Sequence, residues 1–145
     1  MGIESPKLPM ATRPRKTRVA FICVHNSCRS QIAEALCGHL AGGVIDAYSA
    51  GTEIRPHIDR DAVRLMRHMY DIDMEKTQCP KLMTDIPTVD IAVRMGCDVR
   101  CPFLPCEHSE DWGIDDPAGK SDEEFIKIIR QIEKRIMDLK ERLDQ

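Results

Sequence analysis

Two spacings of apolar residues alternate along this chain. Val19, Ala20, Phe21 and Ile22 form a short unbroken apolar run, which predicts a buried β-strand over residues 18–23. Ile32, Ala33, Leu36 and Leu40 then recur at steps of three and four, which predicts a helix over 30–40 that stops at Gly42-Gly43. A second strand is expected over 44–49, closed by Ala50-Gly51. Beyond Pro56 and Asp59, the residues Ala62, Val63, Met66 and Met69 share one side of a second helix. A short helix is expected over 78–84, and a third strand over 89–95 that is buried apart from Arg94. Pro102 and Pro105 make 96–107 irregular, and 111–114 reads as a short fourth strand. The clearest element is the last helix. Ser121 and Glu124 form a capping box, and Phe125, Ile128, Ile129, Ile132, Ile136, Leu139 and Leu143 form one apolar stripe.

Strands alternating with helices at this spacing imply βαβ units, a parallel sheet and an α/β fold. Ligands of such folds bind beyond the carboxyl ends of the strands. Cys23, Ser49 and Met95 all fall near such ends, so the loop after Cys23 and the 96–107 loop are expected on one face. No repeat or linker divides the chain. Residues 1–16, broken by Pro6, Pro9 and Pro14, read as a flexible N-terminal tail, and 17–145 as a single domain.

Composition narrows the picture. At 145 residues the chain is long enough for one core without staples. A formal net charge of −3 argues against a general nucleic-acid surface. No apolar run approaches the roughly 18 residues of a membrane span. The first residues carry no apolar signal segment, so a cytoplasmic location is expected. Seven cysteines cannot all pair within one chain. In a reducing compartment such thiols point to catalysis, redox exchange or metal binding.

The chemistry concentrates in Cys23-Val24-His25-Asn26-Ser27-Cys28-Arg29-Ser30, between a strand and a helix. A short strand-to-helix loop turns its N–H groups inward as an anion cradle, and the helix N-terminus adds partial positive charge. Arg29 offers a planar fork for two oxygens of a phosphate-like group. Cys23 sits in the same field, which favours its thiolate as a nucleophile. The Ser30 hydroxyl is placed to donate to that sulfur. The competing reading is an inert buried Cys23 beside a surface arginine. Asp115-Asp116-Pro117 precedes the last helix. Asp116 is the candidate general acid for a departing oxygen, against the plainer reading of a turn. Cys97, Cys101 and Cys106 in the irregular loop suit a thiol–disulfide relay with Cys23. The alternative is a zinc site made of Cys97, Cys101, Cys106 and His108.

The run from Cys23 through Gln31 resembles the active-site loop of the low-molecular-weight protein tyrosine phosphatases and the arsenate reductases that share their fold. Gln31, Tyr48-Ser49-Ala50-Gly51, Cys101-Pro102-Phe103-Leu104-Pro105 and the stretch from Asp111 to Lys120 resemble the reductase branch. The resemblance implies a four-stranded parallel sheet flanked by helices on both faces. It implies Cys23, Arg29 and Asp116 as catalytic residues and Val24, His25, Asn26, Ser27, Cys28 and Ser30 as the oxyanion loop. It further implies Cys97 and Cys101 as redox thiols, with Cys97 ranked first as resolving thiol, Cys101 second and Cys106 third. No tightly bound cofactor is implied; the electron donor is thioredoxin or a low-molecular-weight thiol. Asn26, Glu34 and Ser49 match three positions of a potassium site seen in some relatives. The reading is an arsenate reductase. The alternatives are a phosphatase working through a phosphocysteine, and a redox-sensing or zinc-binding regulator without turnover.

Overall fold

The computed structural model describes residues 15–96 and 105–144, so Cys97, Cys101 and residues 1–14 of the expected tail lie outside the described residues. Four strands run parallel in the order β2-β1-β3-β4: β1 is Thr17–Ile22, β2 Ile45–Ala50, β3 Ile91–Arg94 and β4 His108–Asp111. The helices are α1 (Arg29–Ala41), α2 (Arg60–Tyr70), the single turn α3 (Met74–Thr77) and α4 (Asp122–Leu143).

The sheet is buried on both faces, and unequally. Val19 and Phe21 of β1 point to the large core, where Ile32, Leu36, Leu65, Met66, Phe125, Ile129, Ile132 and Ile136 from α1, α2 and α4 meet. Ala20 and Ile22 point the other way, under Tyr48, Met83, Ile86 and Cys106. Continuous apolar runs in β1 and β3 follow from this double burial. β1 lies between β2 and β3, so the connections leave its two sides in opposite directions. That reversal opens a crevice at the carboxyl ends of β1 and β3, where Cys23 and Met95 stand.

Two expected elements differ. The fourth strand is His108–Asp111, not 111–114. Its residues are polar because it is an edge strand, and its place is set by backbone pairing with β3. The apolar pair Trp112 and Ile114, which suggested a strand, is instead buried in the following loop, with Trp112 against Phe21 at 5.5 Å between ring centroids. The helix expected over 78–84 is absent: helix stops at Thr77, Gln78 is extended, and a 3₁₀ turn occupies Met83–Asp85. Pro80 holds the chain out of helix between them. There Gly51 and Leu82 form a parallel bridge that extends the line of β2. Among the described residues no helix is long and apolar enough to cross a membrane.

Candidate active site

The loop from Cys23 to Cys28 is shaped by where its carbonyl groups go. Val24 O accepts from Thr52 N and Glu53 N, both at 2.9 Å. His25 O accepts from Arg55 N at 3.2 Å, and Ser27 O from Asp59 N at 2.8 Å. Asn26 O accepts from Gln31 Nε2 at 3.1 Å. The carbonyls are thus drawn outward onto the 52–59 segment and α1. The N–H groups of residues 24–29 donate to no backbone carbonyl among the described residues. A peptide whose carbonyl is held outward turns its N–H toward the hollow, which is the construction of an anion nest.

The start of α1 is left open in the same way. Its N-cap is Cys28, with no side-chain cap and no acidic residue in the first turn. By contrast, Asp59 caps α2 and Ser121 caps α4, each accepting a backbone N–H. Uncapped N–H groups at a helix start are the donors an oxyanion takes up.

Asn26 gives the loop its turn and its rigidity. It is fully buried with φ of 49°, a left-handed conformation that asparagine tolerates. Its Nδ2 donates to Ser30 Oγ at 2.9 Å, which leaves the Ser30 proton free to point elsewhere. Its Oδ1 accepts from Gln31 Nε2 at 3.0 Å and from Lys81 N at 2.8 Å. Gln31, also fully buried, reaches Cys79 O at 3.0 Å and accepts at Oε1 from Gln78 Nε2 at 2.7 Å. Gly51 closes against the back of the loop. A Cβ there would stand 2.6 Å from Val24 O and 2.9 Å from Cys23 O, so only glycine fits.

The result is a cavity of about 150 Å³ lined by Cys23, Val24, His25, Asn26, Ser27, Cys28 and Arg29 on the loop side, with Arg55, Asp116 and Ala118 at its mouth. Cys23 lies just past β1, buried, with its N–H on Ala50 O at 3.2 Å. Arg29 donates through Nη1 to Met95 O at 2.9 Å and Ile114 O at 2.7 Å. One nitrogen therefore ties α1 to the end of β3 and to the loop that bears Asp116, leaving the rest of the guanidinium for a ligand. Asp116 itself is exposed, and its Oδ1 accepts from Ala118 N at 3.0 Å. Its loop is anchored by Trp112, whose N–H bonds Arg94 O at 2.8 Å, and by Gly96. There φ is 93°, and a Cβ would meet Ile114 N and O at 2.9 Å.

Burial, with Asp59 and Asp116 adding to it, pushes the Cys28 thiol far up, so Cys28 stays protonated at neutral pH. Cys37 is buried in α1, and burial pushes its thiol up to about 12. Cys79 is exposed; the structural part of that residue is its carbonyl. Ser30 stands behind the cavity wall, and Asp115 does not line the cavity. Cys106 packs under the smaller face of the sheet. Of the four zinc candidates Cys106 and His108 are described, and among the described residues no group of three or more His, Cys, Asp or Glu is placed to hold a metal. Arg55 was not foreseen: it belongs to no pattern, and only the folding of the 52–59 segment onto the loop brings it there. Ala118 lies in the 111–120 stretch but was not singled out as a lining residue. A larger hollow of about 930 Å³ opens at the amino ends of the strands, beside Thr17, Asp90, Ile91 and His108, away from this chemistry.

The chain is similar to known proteins over most of its length. "Arsenate reductase 1" of Staphylococcus haemolyticus is 38% identical over 132 residues, covering 88% of this chain and 98% of that one. A solved arsenate reductase in the phosphate-binding state superposes with a TM-score of 0.78 at 28% identity, covering 88% of this chain and 98% of its own. The thioredoxin-dependent arsenate reductase of Corynebacterium glutamicum gives 0.72 at 29% identity, covering 91% of this chain and 64% of its own. Residues 18–145 match the low molecular weight phosphotyrosine protein phosphatase family, and the chain belongs to that family.

Proposed function

We propose that this chain is an arsenate reductase. The observation that carries the reading is the outward-tied loop, which leaves a nest of N–H groups and a guanidinium around Cys23. The identity to arsenate reductases over nearly their whole length supports arsenate as the oxyanion. The Cys23 thiolate attacks arsenic, forming an S–As bond, while Asp116 gives a proton to the oxygen that leaves as water. The N–H nest and Arg29 hold the remaining oxygens and the charge that builds on them. A second thiol then attacks the Cys23 sulfur. An S–S bond forms, the S–As bond breaks, and its electron pair passes to arsenic, which departs as arsenite. The disulfide is returned to thiols by thioredoxin or a small thiol. Cys97 ranks first for the second attack, then Cys101, then Cys106. Cys28, held protonated by burial, is a poor candidate.

The test is arsenate turnover with three separate donors: thioredoxin with its reductase, glutaredoxin with glutathione, and mycothiol. One of them is expected to sustain turnover. In that assay Cys97→Ser and Cys101→Ser are expected to lose turnover, while hydrolysis of para-nitrophenyl phosphate persists. That ester needs only Cys23, Arg29 and Asp116, with water completing the reaction. Ester hydrolysis with no arsenate turnover under any donor would refute the reductase in favour of the phosphatase.

A further inference from the structure

Behind the anion loop, on the side away from the cavity, lies a half-buried ion pair that the chemistry above does not use. Glu34 projects from α1 with its side chain 17% exposed, and Lys81 faces it with its side chain 21% exposed. Glu34 Oε1 accepts from Ser49 Oγ at 2.5 Å and from Lys81 Nζ at 3.3 Å. Lys81 Nζ also donates to Cys79 O at 3.0 Å. The backbone of the same residue runs on into the loop, since Lys81 N donates to Asn26 Oδ1 at 2.8 Å and Lys81 O accepts from Gly51 N at 2.9 Å.

Asn26, Glu34 and Ser49 are the positions that matched a potassium site, and the residues present do not fit one. An alkali cation needs several oxygens with lone pairs turned toward it. Here Asn26 Oδ1 is taken by Gln31 and Lys81, Cys79 O by Gln31 and Lys81, and the shared oxygen of Glu34 by Ser49 and Lys81. The donors come from the chain itself, and one of them is an ammonium.

We infer that Lys81 is a positioning residue: its ammonium is a tethered monovalent cation that neutralises Glu34 and pins the segment whose Lys81 N–H holds Asn26, and through it the oxyanion loop, in register without a metal ion. A carboxylate withdrawn from water needs a compensating charge. A free cation supplies it only as its concentration allows. Lys81 supplies it at fixed position, on the strand-like segment that already touches Gly51 and Asn26. The consequence is an oxyanion site indifferent to potassium.

The probe is inorganic phosphate, whose affinity is measured by calorimetry together with the melting temperature, in potassium chloride and in tetramethylammonium chloride of equal ionic strength. Phosphate binding needs no reductant, so this test stands apart from the arsenate assay. The native chain is expected to bind phosphate equally in both salts, within about twofold, with melting temperatures within about 1 °C. Lys81→Met keeps the stem and removes the charge. It is expected to weaken phosphate binding about tenfold in tetramethylammonium, with at least about threefold recovered by potassium, because the vacated oxygens then accept the ion. A purely structural lysine would lower the melting temperature without any response to potassium. Glu34→Gln strands the ammonium, and the double variant Glu34→Gln/Lys81→Met removes both charges. The double variant is expected to melt above Glu34→Gln and to ignore potassium. Tightening of phosphate binding to the native chain by potassium would overturn the inference. So would a Lys81→Met protein blind to it, or a double variant melting below Glu34→Gln.

Discussion

Arg29→Lys separates charge from geometry at the centre of the site. The guanidinium has two tasks: Nη1 bonds Met95 O at 2.9 Å and Ile114 O at 2.7 Å, and the residue also lines the cavity, where its other nitrogens make no hydrogen bond among the described residues. A lysine carries the same charge on a single ammonium. It can hold the two carbonyls or face the oxyanion, and its reach does not allow both. A hydrogen bond to a charged group contributes about 1.5–3 kcal/mol. Losing a two-pronged contact and regaining one point contact leaves a deficit of about 1.5–3 kcal/mol in the transition state, or about 10–10² in kcat/KM. If the ammonium turns to the anion, the carbonyls of Met95 and Ile114 lose a shared donor. The melting temperature is then expected to fall by about 2–5 °C as the Asp116 loop loosens from α1. The assay is kcat/KM for arsenate with the sustaining donor, and for para-nitrophenyl phosphate, alongside a thermal melt. Both substrates should suffer alike, because both present three oxygens to the same fork. A lysine variant within threefold of the native enzyme on both substrates would show that Arg29 acts only as a charge, and would refute the argument.

Gly51→Ala places a Cβ 2.6 Å from Val24 O and 2.9 Å from Cys23 O, and Val24 O is already held by Thr52 N and Glu53 N. Forced shifts of this kind cost about 1–3 kcal/mol, so a lower melting temperature and a raised KM for any oxyanion are expected; an unchanged KM would show the loop to be pliant. Glu110 is held down to about 2 by hydrogen bonds from Arg142, then Trp112 and His108, against the opposing effect of burial. Its stabilising effect is complete above the unfolded carboxyl range. It fades as pH falls from about 4.5 toward 2, because over that window the unfolded chain takes up the proton first. Arg142→Met is expected to remove part of that acid dependence, seen as flatter melting temperatures between pH 5 and pH 3 than the native chain's; parallel curves would discount the pair.

The legibility of this molecule divides by the kind of force involved. β1, α1, α2 and α4 were plain because each buries an apolar face, and burial writes itself as spacing: Val19 to Ile22 in one case, Phe125 through Leu143 in the other. The loop proposed to bear the nucleophile was legible as a cavity wall because residues 23–29 follow one another between a strand and a helix. What stayed hidden is held by backbone. β4 is four polar residues fixed by pairing with β3, and nothing in His108-Ser109-Glu110-Asp111 marks a strand. The segment after Thr77 escaped for the same reason: Pro80 breaks the helix, and Leu82 pairs with Gly51 across the sheet end. Gln31, Gln78 and Lys81 lie 47 or more residues apart in part, and their network exists only once that segment has folded against the loop.

Among the described residues two thiols, Cys23 and Cys28, line this cavity, and their different prospects follow from position. Cys28 has every local advantage that a sequence can confer: it caps the start of α1 and adjoins Arg29 in the chain. Yet burial raises its thiol first, Asp59 and Asp116 raise it further, and Arg29 opposes them without prevailing. A nearby cation and a helix start do not by themselves make a thiolate. Desolvation and the balance of all charges around the sulfur decide. Cys23 approaches the hollow from the other end, just past β1, where the N–H groups of residues 24–29 have no backbone carbonyl partner among the described residues. The difference between the two cysteines thus depends on the bonds that pull Val24, His25 and Ser27 outward. On the proposed reading, the origin of reactivity lies in the 52–59 segment as much as in the loop itself.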